Sequence, residues 1–419
     1  MAISKEIQAF LLDDAIERFM RYVKIWTTSD EKSSSTPSTE GQLEFGKILS
    51  EELQELGLID VVHDKNGYVY GHLPASKGFE EAKPIGLIAH LDTSEAVSGK
   101  NVKPVIHENY DGNDIHYSEN SELKLSLSDS KVLKDYIGLD IITSSGDTLL
   151  GADDKAGAAE IMTACAAWKK YPELIHGPIT VCFNPDEEIG RGTKKIKKKL
   201  LPKICYTLDG SEIGQLELEC FDAWGVDIKF KGLSVHPGYA KDLMINALHI
   251  ACRFFSEIPE KESPEHTEER EGYYHLYKLV GEEEEAKATL IIRDFIVENN
   301  EKRMEFFKSL KESYEKKYPG LKIELAFQHQ YQNMIIFLEK EQKAIDLAKA
   351  AIAQAGLEVK LHSIRGGTDG SKLSSMGIPT PNIFTGGELF HSRKEFIPTL
   401  GLQKAAEVIL NLAELWSKN

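Results

Sequence analysis

Residues 84–92 read PIGLIAHLD, a short apolar run that ends in a histidine, a leucine and an aspartate. A continuous apolar run behind a proline is typical of a strand that is buried on both faces of a sheet. Two similar runs lie at 179–183 and 206–208, and the alanine-rich segment 156–168 predicts a helix between the first strand and the second. Because strands alternate with helices, the sequence predicts an α/β fold with a mixed, mainly parallel sheet.

The N-terminal part of the chain carries further local signals. The first 23 residues mix charged and apolar side chains at helical spacing, which predicts an amphipathic helix rather than a signal peptide. Thr39 and Gln42 have the spacing of a capping box for a second helix, which we expect to end at Gly57. Asn66-Gly67 lies between two segments rich in valine and tyrosine and predicts a hairpin.

The pattern of predicted helices and strands changes after about Ile213. From 214 to 326 the pattern is that of an inserted α+β block, and the α/β pattern returns at about Phe327. A block of this length is large enough to be a domain of its own. We therefore predict one α/β domain made of 1–213 and 327–419, with a second domain inserted at 214–326. The elements predicted in the insert are strands at 224–231 and 288–295 and helices at 244–255 and 300–318.

The composition limits the class of partner. The chain has 419 residues, with 50 Lys and Arg against 67 Asp and Glu, so its formal net charge is −17. This charge disfavours nucleic acid and anionic membrane surfaces, and no apolar run approaches the ~20 residues of a membrane span. The five cysteines form no CxxC pair. We therefore expect reduced cysteines and a cytoplasmic location, with no nucleic-acid or membrane partner.

Histidines and carboxylates follow the predicted strands, at the edge of the sheet where ligand sites of open α/β folds collect. One further histidine follows a glycine-rich turn near the C-terminus. These residues are His90 and Asp92, Asp153 and Asp154, Glu187 and Glu188, Asp209, and His391.

Taken singly, each of these residues can also be explained without a catalytic or metal-binding role. Asp92 shares a face with His90 in an extended chain and can accept from its far ring nitrogen, but a histidine after a strand is often a simple loop residue. Asp153 or Asp154 could be the N-cap of the helix that follows, and equally a carboxylate that bridges two cations. The three consecutive acids at 186–188 could be an exposed turn.

The carboxylates and histidines are more informative together than singly. Two histidines and three or four carboxylates, with no thiolate, form a donor set that suits two Zn²⁺, Mn²⁺ or Co²⁺ ions. One carboxylate is left over, and a dinuclear hydrolase needs one as general base. Near the C-terminus, Arg365 stands beside a pair of glycines, where a guanidinium can clamp a carboxylate with two hydrogen bonds.

The sequence resembles the M20 metallopeptidases. The motifs that carry the resemblance occur in order along essentially the whole chain and include GLSVHPGYAK at 232–241 in the insert. The others are HLD at 90–92, GADDKAG at 151–157, DEEIG at 186–190, LDG at 208–210, RGGTDGSKLSSMGIPTPNIFTGG at 365–387 and FH at 390–391. The resemblance implies two Zn²⁺ per subunit, with Co²⁺ or Mn²⁺ as alternatives.

The resemblance also implies a role for each donor. His90 and Asp209 would hold one zinc, Glu188 and His391 the other, and Asp153 would bridge both. A cis peptide bond is expected after Asp153, because members of the family have one at the bridging aspartate.

Further roles follow from the same resemblance. Asp92 would orient the histidine at the end of the first strand, and Glu187 would be the general base. The insert would be a lid or dimerisation domain, so a homodimer through it is an expected partner. His236 of that domain would hydrogen-bond the scissile carbonyl, and Asn246 and Arg365 would position the substrate.

The implied reaction is hydrolysis of small peptides by a zinc-bridging hydroxide, with Glu187 taking its proton. In the family an aspartate at the position of Asp209 tends to accompany aminopeptidases, and the motifs favour release of the N-terminal residue from tripeptides, a step in peptide catabolism. Three other hydrolases of the family stay open: a dipeptidase, a carboxypeptidase and an N-acyl amino acid deacylase. A binding protein that kept the fold without turnover is the alternative from another class.

Overall fold

The computed structural model describes residues 3–419. Within these residues the chain forms nine α-helices, none of which has the length and apolar character needed to cross a membrane. The helices are α1 (Lys5–Tyr22), α2 (Glu40–Leu56), α3 (Ala152–Lys170), α4 (Ala247–Phe255), α5 (Val297–Lys317), α6 (Ile335–Leu338), α7 (Gln342–Gln354), α8 (Asp369–Ser375) and α9 (Thr399–Ser417).

The described residues also form seventeen strands. They are β1 (Ile59–His63), β2 (Val69–Leu73), β3 (Ile85–His90), β4 (Val105–His107), β5 (Ile115–His116), β6 (Lys124–Leu125), β7 (Ile141–Thr143), β8 (Ile179–Asn184), β9 (Cys205–Gly210), β10 (Gln215–Cys220), β11 (Asp222–Lys231), β12 (Tyr273–Gly281), β13 (Glu285–Asp294), β14 (Lys322–Tyr331), β15 (Lys360–Ile364), β16 (Asn382–Phe384) and β17 (Phe396–Pro398).

The chain divides into two compact units. The first comprises the chain up to Leu218 together with Phe337–His362 and Thr368–Asn419, and the second comprises Glu219–Ile336 and Ser363–Gly367. The predicted boundaries after residues 213 and 326 lie earlier than these. The first boundary is later because β10 still pairs with β16 of the large sheet, and the predicted second boundary cuts through β14, which pairs with β11 of the second unit.

The large sheet is mixed, as the sequence predicts. Its eight strands follow the order β1-β2-β8-β3-β9-β16-β10-β15. The four central strands, β8, β3, β9 and β16, run parallel to one another, whereas β2 and β10 pair antiparallel with the outer two of them. All six residues of β3 are buried, which is the burial expected of a strand covered on both faces. The predicted α/β fold class is therefore confirmed.

The predicted hairpin and the first two helices are present, but the capping box of the second helix is not. β1 and β2 pair on either side of Asn66-Gly67, and Gly57 ends α2 in a left-handed conformation at φ 96°. The Thr39 hydroxyl donates to the carbonyl of Thr28 instead of capping the helix. The side-chain amide of Gln42 donates to the hydroxyls of Ser38 and Thr39 and to the carboxylate of Asp186.

The second unit is built on an antiparallel sheet of four strands in the order β12-β13-β11-β14. Helices α4 and α5 pack on it and close an apolar core around Phe230, Phe254 and Phe307. The strands and helices predicted for the insert are present. Helix α4 begins at Ala247 rather than at Met244, because Asn246 is its N-cap and accepts from the amide of His249.

Close approach between α3 and β9 requires glycine at position 157. A Cβ atom there would collide with the carbonyl oxygen of Leu208 and would lie 2.5 Å from Oδ1 of Asp154. Leu208 directly precedes Asp209, so this contact brings the first turn of α3 next to the end of β9.

We expect Gly157→Ala to lower the free energy of unfolding by about 1–3 kcal/mol, because the added methyl group overpacks a rigid backbone contact. Urea denaturation followed by circular dichroism measures the change. Gly366→Ala is the control, since a Cβ at that position meets no atom within 4 Å. Equal unfolding midpoints for the two variants would contradict the close contact between α3 and β9.

Candidate metal centre

The parallel centre of the large sheet brings three chain segments to one edge. His90 is the last residue of β3 and lies opposite Asn184, the last residue of β8. The acidic turn that contains Glu187 and Glu188 follows β8 directly, and Asp209 lies near the end of β9. Residues far apart in sequence therefore become neighbours because parallel strands end at the same edge.

Asp153 faces two histidines, one with each carboxylate oxygen. Its Oδ1 lies 2.8 Å from Nε2 of His90, and its Oδ2 lies 3.1 Å from Nε2 of His391. Asp209 completes the first group, with Oδ1 3.6 Å from His90 Nε2. Glu188 completes the second, with Oε2 2.8 Å from His391 Nε2.

Each group offers three ligand atoms that lie within 4.8 Å of one another. Imidazole nitrogens and carboxylate oxygens without thiolate are the donors that zinc, cobalt and manganese accept. The buried Oε1 atom of Glu188 has no hydrogen-bond partner among residues 3–419. The donor chemistry and this unsatisfied oxygen both fit a pair of divalent cations.

The electrostatics of the cluster favour positive charge. Burial, followed by the nearby Asp153, raises the pKa of Glu188 to about 8. Burial is also the main cause that raises the pKa of Asp209 to about 7. Hydrogen bonds that His391 donates to Asp153 and Glu188 raise the pKa of His391 to about 11. Carboxylates packed this closely repel one another, and a cation between them relieves that repulsion.

The side chain of Asp92 binds backbone amides of the acidic turn. Its carboxylate accepts the amide of Glu187 at 2.9 Å and that of Glu188 at 3.1 Å. Nδ1 of His90 lies 3.0 Å from the carbonyl oxygen of Asp92 and 3.4 Å from its Oδ1. The sequence predicted the carboxylate as the main partner of the histidine. The carbonyl is closer because the carboxylate is turned toward the two amides.

Asp153 and Asp154 face different partners, and the N-cap position of α3 is taken by Gly151. They are joined by the expected cis peptide bond. Asp153 faces the histidines, whereas Asp154 accepts the amide of Gly157 at 3.2 Å and that of His90 at 2.9 Å. Asp154 therefore ties the start of α3 to the end of β3.

Glu187 is half-buried in the turn that follows β8. Its amide is bound by Asp92, and its carboxyl pKa is raised well above the usual range by burial and then by the nearby Asp369. Its place in the turn next to Glu188 leaves it adjacent to the donor cluster.

Three buried residues whose side chains bind backbone amides of the site's loops could not be identified from the sequence. The buried Glu395 accepts backbone amides of the segment that ends in Asp153. The carboxylate of Asp186 accepts the amide N–H of Ser38 and a side-chain N–H of Gln42. The side-chain oxygen of Gln42 accepts the amide N–H of Asp186 and therefore does not cap α2. Asn382 accepts the amide of Asp209 at 3.1 Å. Only burial distinguishes these residues, and a single sequence does not reveal it.

The three predicted substrate residues lie in the second unit. His236 is exposed, and its Nδ1 accepts the amide of Gly238 at 3.1 Å. Asn246 uses its side-chain oxygen as the N-cap of α4.

Arg365 is already engaged within that unit. Its two terminal nitrogens donate to the carbonyls of Thr267, Glu269 and Glu271 and to the hydroxyl of Thr267. The guanidinium also lies over the ring of Phe221, 5.2 Å from its centre. The sequence predicted a free clamp for a substrate carboxylate, whereas only the Nε–H of this side chain remains without a bond to the loop.

The fold is that of a hydrolase, and the two donor groups offer ligands for metal ions. The chain belongs to peptidase family M20/M25/M40, whose family model matches residues 150–415, and it is a peptidase. The M20 resemblance of the sequence is thereby confirmed. A protein named peptidase T from Caldanaerobacter subterraneus subsp. tengcongensis is 48% identical over 97% of this chain and 100% of its own. Peptidase T of Bacillus cereus (strain G9842) is 46% identical over 96% of this chain and 98% of its own.

Solved structures share the fold. The aminopeptidase PepT of Bacillus cereus ATCC 10987 has a TM-score of 0.76 at 23% identity, over 97% of this chain and 99% of that chain. The Bacillus subtilis YXEP protein, described as a dinuclear metal binding peptidase of the M20 family, has a TM-score of 0.67 at 14% identity, over 99% of this chain and all of that chain.

The shared position of Asp153 gives a test of the two donor groups. We expect His391→Ala to lose one bound divalent ion and to keep the other, because that side chain serves one group only. Asp153→Ala should weaken binding at both groups. Metal content after equilibrium dialysis against Zn²⁺ measures the difference. Loss of a single ion from the Asp153 variant would contradict the bridging arrangement.

Proposed function

We propose that this protein is a metal-dependent aminopeptidase that releases the N-terminal residue from tripeptides. The observation that carries the proposal is the carboxylate of Asp153, each oxygen of which faces a separate histidine. The names of the full-length relatives support the substrate class. Small peptides are the proposed partners, and the resemblance to the family supports a cytoplasmic location and a homodimer through the inserted domain.

Five residues would hold two divalent ions. His90 and Asp209 belong to one site, Glu188 and His391 to the other, and Asp153 to both. Zinc is the proposed metal, with cobalt and manganese as alternatives that accept the same donors. When bound, such a pair supplies Lewis-acid activation of water and of a carbonyl group.

Glu187 is the proposed general base. Asp92 fixes its backbone through the amide, so the carboxylate is carried on the same braced turn as Glu188. Glu187 would take a proton from the attacking water and deliver it to the leaving amine after the carbon–nitrogen bond breaks. Glu187 then serves first as base and then as acid, so the proton removed from water ends on the released amine.

His236 is the proposed donor to the oxygen of the scissile carbonyl. Its Nδ1 accepts an amide N–H, so the proton of the neutral ring must sit on Nε2. An Nε2–H group of this kind can stabilise the negative charge that develops on the carbonyl oxygen.

Two further residues of the second unit would contact the substrate. Asn246 has its side-chain nitrogen left as a donor, because only the oxygen caps α4. Arg365 would meet a peptide carboxylate with its remaining Nε–H, or with its terminal nitrogens after release of the loop carbonyls. The proposed contact of Arg365 is therefore weaker than a two-pronged clamp.

Hydrolysis of trialanine tests the proposed function. We expect cleavage of trialanine in preference to dialanine, tetra-alanine and N-acetyl-trialanine, with loss of activity in a chelator and recovery on adding Zn²⁺. A blocked amine should abolish cleavage, because an aminopeptidase recognises the free N-terminus. Product amino acids resolved by chromatography give the measurement.

The control peptides separate the alternatives within the family. Preference for dialanine would identify a dipeptidase, and release of the C-terminal residue from a blocked peptide would identify a carboxypeptidase. Removal of the acetyl group from N-acetyl-trialanine would identify a deacylase. Any of these results would overturn the tripeptide proposal while keeping the metal centre.

Glu187→Gln tests the general base. We expect kcat to fall roughly 10²–10⁴-fold with the metal content unchanged, because the amide has no proton-accepting carboxylate. Steady-state kinetics on trialanine and metal analysis of the same sample measure both quantities. Glu95→Gln is the control, because Glu95 is an exposed glutamate in the segment that follows β3. Wild-type turnover by a fully loaded Glu187 variant would rule out the assignment.

A further inference from the structure

Glu395 makes an unusual set of contacts for a buried glutamate. Its side chain is 1% exposed, and both carboxylate oxygens accept backbone amides from one short segment. Oε2 accepts the amides of Leu150 and Gly151, each at 2.8 Å, and Oε1 accepts that of Asp153 at 3.1 Å. One carboxylate thus fixes the backbone that leads into the shared ligand.

The same glutamate stands on the loop that carries His391. Reciprocal backbone hydrogen bonds between Glu388 and Phe396, at 2.9 and 3.1 Å, close this loop at its base. His391 lies inside the loop in a left-handed conformation at φ 60°. Glu395 lies next to the closing pair, so its side chain joins the His391 loop to the Asp153 segment.

We propose that Glu395 is a positioning residue that sets the spacing between Asp153 and His391 in the second donor group. The inference rests on the proposed metal centre. Glu395 does not touch the ligand atoms and acts through the backbone of one ligand and the loop of the other. Asp92 braces the acidic turn in the same way, through backbone amides.

The chemistry of the contact requires a carboxylate. A carboxylate is acceptor-only and can take all three amides, whereas a glutamine of the same shape presents an NH₂ group to one of them. A donor facing a backbone N–H leaves that amide without a partner and pushes the segment away. Glu395→Gln therefore removes the bracing with almost no change in side-chain volume.

The test is the affinity of the purified protein for Zn²⁺, measured by competition with a chromogenic chelator. We expect Glu395→Gln to bind zinc roughly 10–100-fold more weakly than wild type, the range found when groups that orient metal ligands are removed. The visible spectrum of the Co²⁺-loaded protein should also change, because it reports ligand geometry. Glu395→Asp keeps an acceptor-only group and should lose less affinity.

Glu407→Gln is the matched control. Glu407 is equally buried, at 2% exposure, but it accepts from the side chains of Gln8 and Lys404, away from the donor groups. A merely structural effect would lower the thermal stability of both variants and leave zinc affinity and the Co²⁺ spectrum unchanged. Wild-type affinity and spectrum in Glu395→Gln would overturn the proposal.

The outcomes distinguish this inference from the proposed function. A wild-type protein that binds no zinc would refute the metal centre itself. A wild-type protein that binds two ions beside an equally tight Glu395→Gln variant would refute only the role of Glu395. If the glutamine variant does not fold, Glu395→Asp carries the test: weaker binding than Glu407→Gln supports the role, and equal binding refutes it.

Discussion

The crowding of carboxylates at one edge of the large sheet is the constraint on which the rest of the structure depends. Like charges at this density are stable only where each meets a donor or a cation. The structure divides them into two sets. Asp92, Asp154 and Glu395 are directed at backbone amides, whereas Asp153, Glu188 and Asp209 are directed at histidines and at one another.

This division explains how loops can carry a precise site. A buried carboxylate that accepts two or three backbone amides restrains the backbone of the loop directly, as the hydrogen bonds of a strand do. Asp92 does this for the acidic turn, and Glu395 does it for the segment before α3. The ligand side chains then project from braced backbone, which preserves their spacing without contacts to their reactive atoms.

Much of the fold and of the donor set could be predicted from the sequence, because both depend on local patterns. The apolar run before His90 identifies a buried strand, and the parallel order makes its end meet the ends of its neighbours. The family model begins at residue 150, yet His90 lies 2.8 Å from Asp153, so the earlier strand belongs to the same cluster. The remaining features depend on burial and on the orientation of side chains, which the sequence does not show. They are the amides that donate to Glu395, the carbonyls that accept from Arg365, and the continuation of β14 past residue 326.

The sharing of Asp153 between two histidines has a thermodynamic consequence. A cation held by one oxygen would withdraw electron density from the other, so occupancy of one proposed metal site would change the affinity of its neighbour. Linkage makes that effect equal in both directions. In the proposed metal centre the two groups would therefore act as one coupled unit, whose half-loaded state would have an affinity of its own.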